Sequence, residues 1–310
     1  MLSNLKKILA LSVLTLSVTS WANDIRLILP FNPGGPGDRI MRLVQRDLKE
    51  IGGRNSVVEY KPGGNGEIAT NHMLQLSKNE SVFMFIGTTL NFALKSHIYD
   101  SYNIEAVADI GKVSMIIVAP VNSSIKSFSD LMNLNGTQSV TYSNTGRSGL
   151  SYFAGESLKQ GLKKNFVGVS YPGSSKMLID LLAGRLDFGI LHVHESLPHI
   201  EQQKLVPIAV LSEQRIKELP NTPTVKEHGL KDSVFYGHYM FIGPASNPPK
   251  DKELLQQVLT RSLSNPVTSQ GYRAEGLQIA PGTKSLDAQW WSREISRTKE
   301  VMQRAKLQAD

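Results

Sequence analysis

Apolar and polar residues along this chain follow two alternating rhythms. Short runs rich in β-branched and aromatic residues read as strands: Ile25–Leu29, Ser56–Tyr60, Val82–Ile86, Met115–Ala119, Ser139–Tyr142, Phe166–Val169, Phe188–Leu191, Val206–Leu211 and Phe235–Ile242. Stretches with helical spacing lie between and after them: Arg39–Ile51, Ile68–Ser77, Ser127–Asn133, Leu150–Leu162, Ser175–Ala183, Lys250–Ser264, Val267–Glu275 and Leu286–Leu307. Strand and helix in turn predict an α/β protein with mostly parallel sheets covered by helices.

The rhythm also predicts two domains. A self-contained α/β set runs from about Asn122 to Tyr239, and the chain then returns to the first set near Gly243-Pro244. Two crossings between two α/β domains make a hinged clamshell. The expected division is 23–121 with 243–310 for domain I, and 122–242 for domain II. Ligands of open α/β sheets bind at the carboxyl ends of the strands, so the cleft is the place to look for a site.

Residues 1–22 break the pattern. Lys6 and Lys7 precede the apolar run Ile8 to Val18, and Ser20-Trp21-Ala22 puts small residues three and one before a cut. This is the layout of a cleaved secretory signal, with Asn23 the first mature residue. The apolar run falls short of the ~20 residues that span a bilayer. The chain has no Cys, hence neither disulfides nor a lipid-bearing Cys. The expected location is the periplasm.

Charge changes the picture little. The formal net charge is +7, or +5 once Lys6 and Lys7 are set aside. The basic residues are dispersed, with Lys163-Lys164 the densest internal pair and no aromatic-interleaved stripe. Nucleic acid is not an expected partner.

Chemistry gathers in three Gly-, Ser- or Asn-rich turns, each ahead of a helix. Residues 30–38 read PFNPGGPGD, residues 63–66 read GGNG, and residues 143–148 read SNTGRS. A strand, a Gly-rich turn and a helix start leave backbone N–H groups aimed at one spot, with the helix dipole behind them, which suits an anion. Each also has a plain reading as a turn, with Asp38 or Ser148 as a helix cap. Arg147 carries the planar fork that matches a carboxylate. The first turn is not G-x-G-x-x-G, so a dinucleotide is not implied.

His192 and His194, two apart at a predicted strand end, share one side if the strand continues. With Glu195 and His199 near, they invite a metal reading, but no fixed ligand motif completes the set. No G-x-S-x-G occurs, Cys is absent, and the acidic residues show no spacing for acid–base work. The chain therefore reads as a binder and not an enzyme, with no cofactor and no resident metal.

Several runs line up with one family. PFNPGGPGDRIMR, VEYKPGGNGEIAT, TYSNTGRSGLSYFAGESL, VSYPGSSKMLIDLLAGRLDF, LPNTPTVKEHGL and GPASNPP occur in order across nearly the whole mature chain. They resemble the Bug-type solute-binding proteins, the extracytoplasmic receptors of tripartite tricarboxylate transporters. The resemblance implies a type II periplasmic-binding-protein fold. It also implies capture of a small carboxylated metabolite by a monomeric receptor and delivery to membrane transporter subunits. Carried over by motif, the expected ligand contacts are Phe31, Asn32, Pro33, Gly34, Gly35 and Asp38 in the first loop. Gly64, Asn65 and Gly66 follow in the second, and Ser143, Asn144, Thr145, Gly146, Arg147 and Ser148 in the third, joined by Tyr171; His192 is added from its own chemistry, as a polar cleft-lining group at a strand end.

The sequence departs from the family at Tyr60, Glu67, Tyr152, Tyr236 and the stretch Leu191-His192-Val193-His194-Glu195. Tyr60, Glu67 and His192 would then face the distal end of the ligand, and a carboxylate such as Glu67 there would suit an amine or amide. Two other readings use the same residues: a periplasmic sensor subunit presenting its ligand state to a signalling partner, and a metal-dependent enzyme built on His192 and His194.

Overall fold

A computed structural model describes residues 24–76, 80–87, 103–146, 149–171, 174–279 and 288–304. The first half opens with β1 (Ile25–Leu29), α1 (Pro36–Glu50), β2 (Ser56–Tyr60), α2 (Glu67–Gln75) and β3 (Val82–Ile86). The long β4 (Ile104–Pro120) leads to α3 (Phe128–Asn133), β5 (Val140–Asn144), α4 (Leu150–Leu162), β6 (Phe166–Ser170) and α5 (Ser174–Leu182). Then come β7 (Phe188–His192), α6 (Val193–Glu201), β8 (Leu205–Val210) and β9 (Tyr236–Pro244). Helices α7 (Pro249–Ser264), α8 (Pro266–Ala274) and α9 (Ala288–Arg304) follow.

Local sequence explains these elements. The strand β1 reads IRLIL and buries every side chain but that of Arg26, as a strand covered on both faces must. In α1 the buried positions Ile40, Met41, Val44 and Leu48 form one stripe, while Arg42, Arg46 and Lys49 lie off it. Pro36, at the first turn of α1, presets the helical φ where no N–H is needed. Helix α3 starts with a capping box in which Ser127 and Asp130 satisfy each other's backbone N–H groups.

The strands form one hydrogen-bonded path, β2-β1-β3-β9-β4-β7-β5-β6, with β8 also on β4. Strands β1, β2 and β3 are parallel, as are β5, β6 and β7. The joining strands are antiparallel. β4 serves both halves of the clamshell: Ile104–Ser114 pairs with β9, and Met115–Pro120 pairs with β7 and β8. β9 pairs with β3 and with the first part of β4, so it is a first-half strand.

The sequence pattern predicts only Met115–Ala119 of β4. Its earlier part is interrupted by Asp109, Gly111 and Lys112 and carries two bulges. Gly111 has φ 145, and a Cβ there would lie 2.9 Å from the Gln278 carbonyl oxygen. Only glycine lets the 277–278 segment pair beside Lys112.

Buried carboxylates fasten the C-terminal helices to the first half. Asp47 of α1 accepts from the Tyr272 hydroxyl at 2.8 Å and from Ser262, and pairs with Arg46. Asp251 of α7 accepts from Ser81 and pairs with Arg54 at 3.1 Å.

Candidate functional site

The topology sets the carboxyl ends of two parallel strand groups against each other. β1, β2 and β3 run the same way, so the loops after Leu29, Tyr60 and Ile86 leave one edge. β5 and β7 are likewise parallel, so the loop after Asn144 and the residue His192 share the edge of the second half. The two edges touch: a Cβ at Gly237 would lie 3.3 Å from the Gly87 carbonyl oxygen and 3.4 Å from Cε1 of His192. That meeting line is the cleft expected of the fold.

In the first loop Phe31 is 45% exposed and packs edge-on against Phe85, ring centroids 6.4 Å apart. Gly34 takes φ 90, and nothing lies within 4 Å of where a Cβ would stand at Gly34 or Gly35. Among the described residues, the N–H groups of Gly35 and Gly37 have no hydrogen-bond acceptor. They stand open at the head of α1.

Asp38 takes a different part from the one expected. It is not the cap of α1, which is Gly35, and its carboxylate turns back into the loop. There it accepts the Gly34 N–H at 2.8 Å and the Tyr60 hydroxyl at 2.7 Å, with Arg42 alongside. Burial alone would push the Asp38 carboxyl up, but Gly34, Tyr60 and Arg42 together hold it below the usual carboxylate range. Tyr60, expected near the distal end of a ligand, has its hydroxyl on Asp38. That bond raises the phenol above its usual range.

The second loop makes one 3-10 turn, Gly64–Gly66, and Gly66 caps α2. The positive φ values of Gly63, Gly64 and Gly66 let the backbone fold so tightly.

The third loop departs most from expectation. Strand β5 continues to Asn144, so Ser143 is a strand residue. It is fully buried, and its Oγ lies 2.9 Å from where a Cβ of Gly189 would stand, on the face that carries Leu181 of α5. It does not line the cleft. Asn144 Oδ1 accepts from the Gly146 N–H at 2.8 Å and the Ser170 hydroxyl at 3.0 Å. Its Nδ2 is buried without a partner among the described residues. Thr145 pairs with Ser151 through both N–H and hydroxyl. Arg147 and Ser148 lie outside the described residues. Tyr171 donates its hydroxyl to Asp180 of α5 at 2.8 Å, which directs its polar end to that helix.

His192 ends β7 and is the cap residue of α6. The sequence signals no helix at Val193–Glu201, because Pro198 interrupts it and it is only nine residues long. The two histidine rings nevertheless stack, centroids 5.7 Å apart, and His192 meets the Tyr239 ring edge-on at 6.4 Å. Among the described residues no group of three or more His, Asp or Glu could hold a metal ion.

Six further residues gather around His192; sequence reasoning met His194 and Glu195 only as metal candidates and passed over Ser174, Arg39, Glu275 and Tyr239. Glu195 accepts from Ser174 at 2.5 Å. Arg39 pairs with Glu275 at 2.7 Å and also donates to the Gly34 carbonyl at 3.1 Å. Burial, and then the charge on His192, lowers His194 to about 4 against the pull of Glu195 and Glu275. Tyr239 is pushed up by burial first, then by Glu195 and Glu275. The runs YPGSS and HVHES, each mixing polar groups at a strand end, were the available signals for Ser174 and Glu195.

Residues 40–307 match the model of the tripartite tricarboxylate transporter family receptor. The chain belongs to this receptor family. It is therefore a solute-binding receptor of the periplasmic type, and the family is not one of enzymes. Among relatives of this receptor is the UPF0065 protein in the TAR-I ttuE-ttuC' intergenic region of Agrobacterium vitis. It is 26% identical over 263 residues, covering 82% of this chain and 75% of the relative. The periplasmic binding protein BugD has the same fold, with a TM-score of 0.79 at 21% identity over 93% of this chain and 99% of its own. So does R. palustris Rpa4515, solved with adipate, with a TM-score of 0.80 at 22% identity over 92% of this chain and 98% of its own. The Bug-type resemblance and the two-domain clamshell fold are thus established.

Proposed function

We propose that this receptor works in the periplasm after removal of residues 1–22, captures a small carboxylate between its two halves, and delivers it to a tripartite tricarboxylate-type membrane transporter. The observation that carries the reading is the facing of two strand-end edges. One bears the open amides at the head of α1 and the Gly64–Gly66 turn. The other bears the described start of the third loop, residues 144–146, and His192. Backbone N–H groups with a helix dipole behind them stabilise an anion in its ground state. Adipate in R. palustris Rpa4515 shows that the same fold accommodates a carboxylate in another protein.

In this reading Phe31, Asn32, Pro33, Gly34 and Gly35 approach the carboxylate, with Asp38 behind them fixing the loop. Gly64, Asn65 and Gly66 flank it from the first half. Asn144, Thr145, Gly146, Arg147, Ser148 and His192 close from the second, and only the closed form touches ligand from both sides. The domain division at 121/122 and 242/243 is refined accordingly. Strand pairing supports crossings at Ser114–Met115 and just ahead of Tyr236.

A thermal-shift screen of residues 23–310 against mono- and dicarboxylates tests the reading, since a ligand far above its dissociation constant raises the melting point. Arg147→Ala is expected to weaken the best carboxylate by about 2 kcal/mol or more. Unchanged affinity would remove Arg147 from the site.

A further inference from the structure

The second-half side of the cleft holds a carboxylate oxygen without a hydrogen-bond donor among the described residues. Glu195 stands in the first turn of α6. Its Oε1 accepts the Ser174 hydroxyl at 2.5 Å, which fixes the rotamer. Its Oε2 is buried and has no hydrogen-bond partner among the described residues. Arg39 acts on Glu195 only through its charge, because its Nε donates to Glu275 and its Nη1 to the Gly34 carbonyl. Across the cleft stands Tyr239, 7% exposed, against which the edge of His192 packs. His192 Nδ1 is also buried without a partner among the described residues. A buried carboxylate oxygen lacking a donor is costly, and a second carboxylate brought beside it would be repelled. A nitrogen donor satisfies it.

We propose that Glu195, seated by Ser174 and facing Tyr239, is a specificity residue that receives an N–H donor of the bound solute, so that the ligand is a small acid bearing an ammonium or amide group at the end remote from its carboxylate. The inference rests on the reading of the cleft as a carboxylate site. It assigns the distal end to Glu195, where the sequence had suggested Glu67. His192 lines the same end and offers its ring nitrogen to the donor group or to a second polar atom beside it.

The test is calorimetric titration of residues 23–310, wild type and Glu195→Gln, with two matched sets of probes. One set is succinate, glutarate and adipate. The other is 4-aminobutyrate, 5-aminovalerate and succinamate. The wild type is expected to bind at least one nitrogen-bearing acid tenfold or more tighter than the dicarboxylate of like length. Glu195→Gln should weaken the ammonium acids tenfold or more and leave the dicarboxylates equal or tighter. Ser174→Ala, which frees the rotamer but keeps the charge, should weaken the same set by a smaller factor. Preference of the wild type for dicarboxylates overturns this inference alone. Equal weakening of both sets in Glu195→Gln also overturns it, because that is the mark of a structural role. Failure of every probe in both sets overturns the carboxylate reading together with it.

Discussion

His194 of the second half lies directly on the backbone of Gly276 in the first: a Cβ at Gly276 would sit 2.5 Å from both Cβ and Nδ1 of the histidine. The contact spans the cleft beside the Arg39–Glu275 pair, so it reports how the halves sit together. Gly276 also has φ 78, which an L side chain tolerates poorly. Gly276→Ala should cost about 1–3 kcal/mol through strain and overpacking, read by chemical denaturation. It should also loosen ligand binding, because the overlap pushes the halves apart. A variant with wild-type stability and affinity would show that the contact has no part in closure.

The same histidine predicts a pH response. Folding lowers His194 to about 4, by burial first and then by the charge of His192, with Glu195, Glu275 and Arg39 also facing it. The unfolded chain therefore binds more protons than the folded one between about pH 6.5 and pH 4. This contribution to stability is intact above that window and falls as the solution is acidified through it. Melting temperatures measured from pH 7.5 to pH 4 should decline more steeply for the wild type than for His194→Gln. Parallel profiles would contradict the assignment.

Asp38 predicts a loop effect. Its carboxylate holds Gly34, Tyr60 and Arg42 at once, so Asp38→Ala leaves the Gly34 amide and the Tyr60 hydroxyl without their acceptor. A loss of about 1–3 kcal/mol in stability is expected, together with weaker carboxylate binding as the first loop loosens. If binding weakens with no change in stability, Asp38 touches the ligand after all.

Helix α4 carries a packing prediction. A Cβ on Gly155 would lie 2.1 Å from Cε2 and 2.2 Å from Cζ of Tyr142, whose hydroxyl donates to Glu156 at 3.2 Å. Alanine gains about 1 kcal/mol in helix propensity over glycine. Here the overlap should outweigh that gain, so Gly155→Ala should lower the melting temperature. A rise would mean that the ring moves aside freely.

Much of this was legible in the sequence, and the failures share a physical cause. Strands with uninterrupted apolar runs, such as Ile25–Leu29 and Val82–Ile86, have the bounds the pattern predicts, as does helix Leu150–Leu162. Segments whose burial comes from tertiary partners were not visible. Residues 104–114 of β4 carry charges and bulges accommodated by β9 and Gln278, and α6 contains Pro198. In the site, loop chemistry was readable and side-chain direction was not. Two more residues of β5 put Ser143 under α5, and Tyr171 turns its hydroxyl to Asp180. Glu195 and Ser174 meet because α5 and α6 both begin near strand ends of the second half, a pairing that no local pattern sets.

The most direct test of the account is calorimetric titration of residues 23–310 with small carboxylic acids, run beside small-angle X-ray scattering of the free and saturated protein. The account predicts saturable one-to-one binding of at least one such acid, with a more compact particle on saturation as the halves close. Absence of binding across mono-, di- and tricarboxylates and their amino derivatives would contradict it.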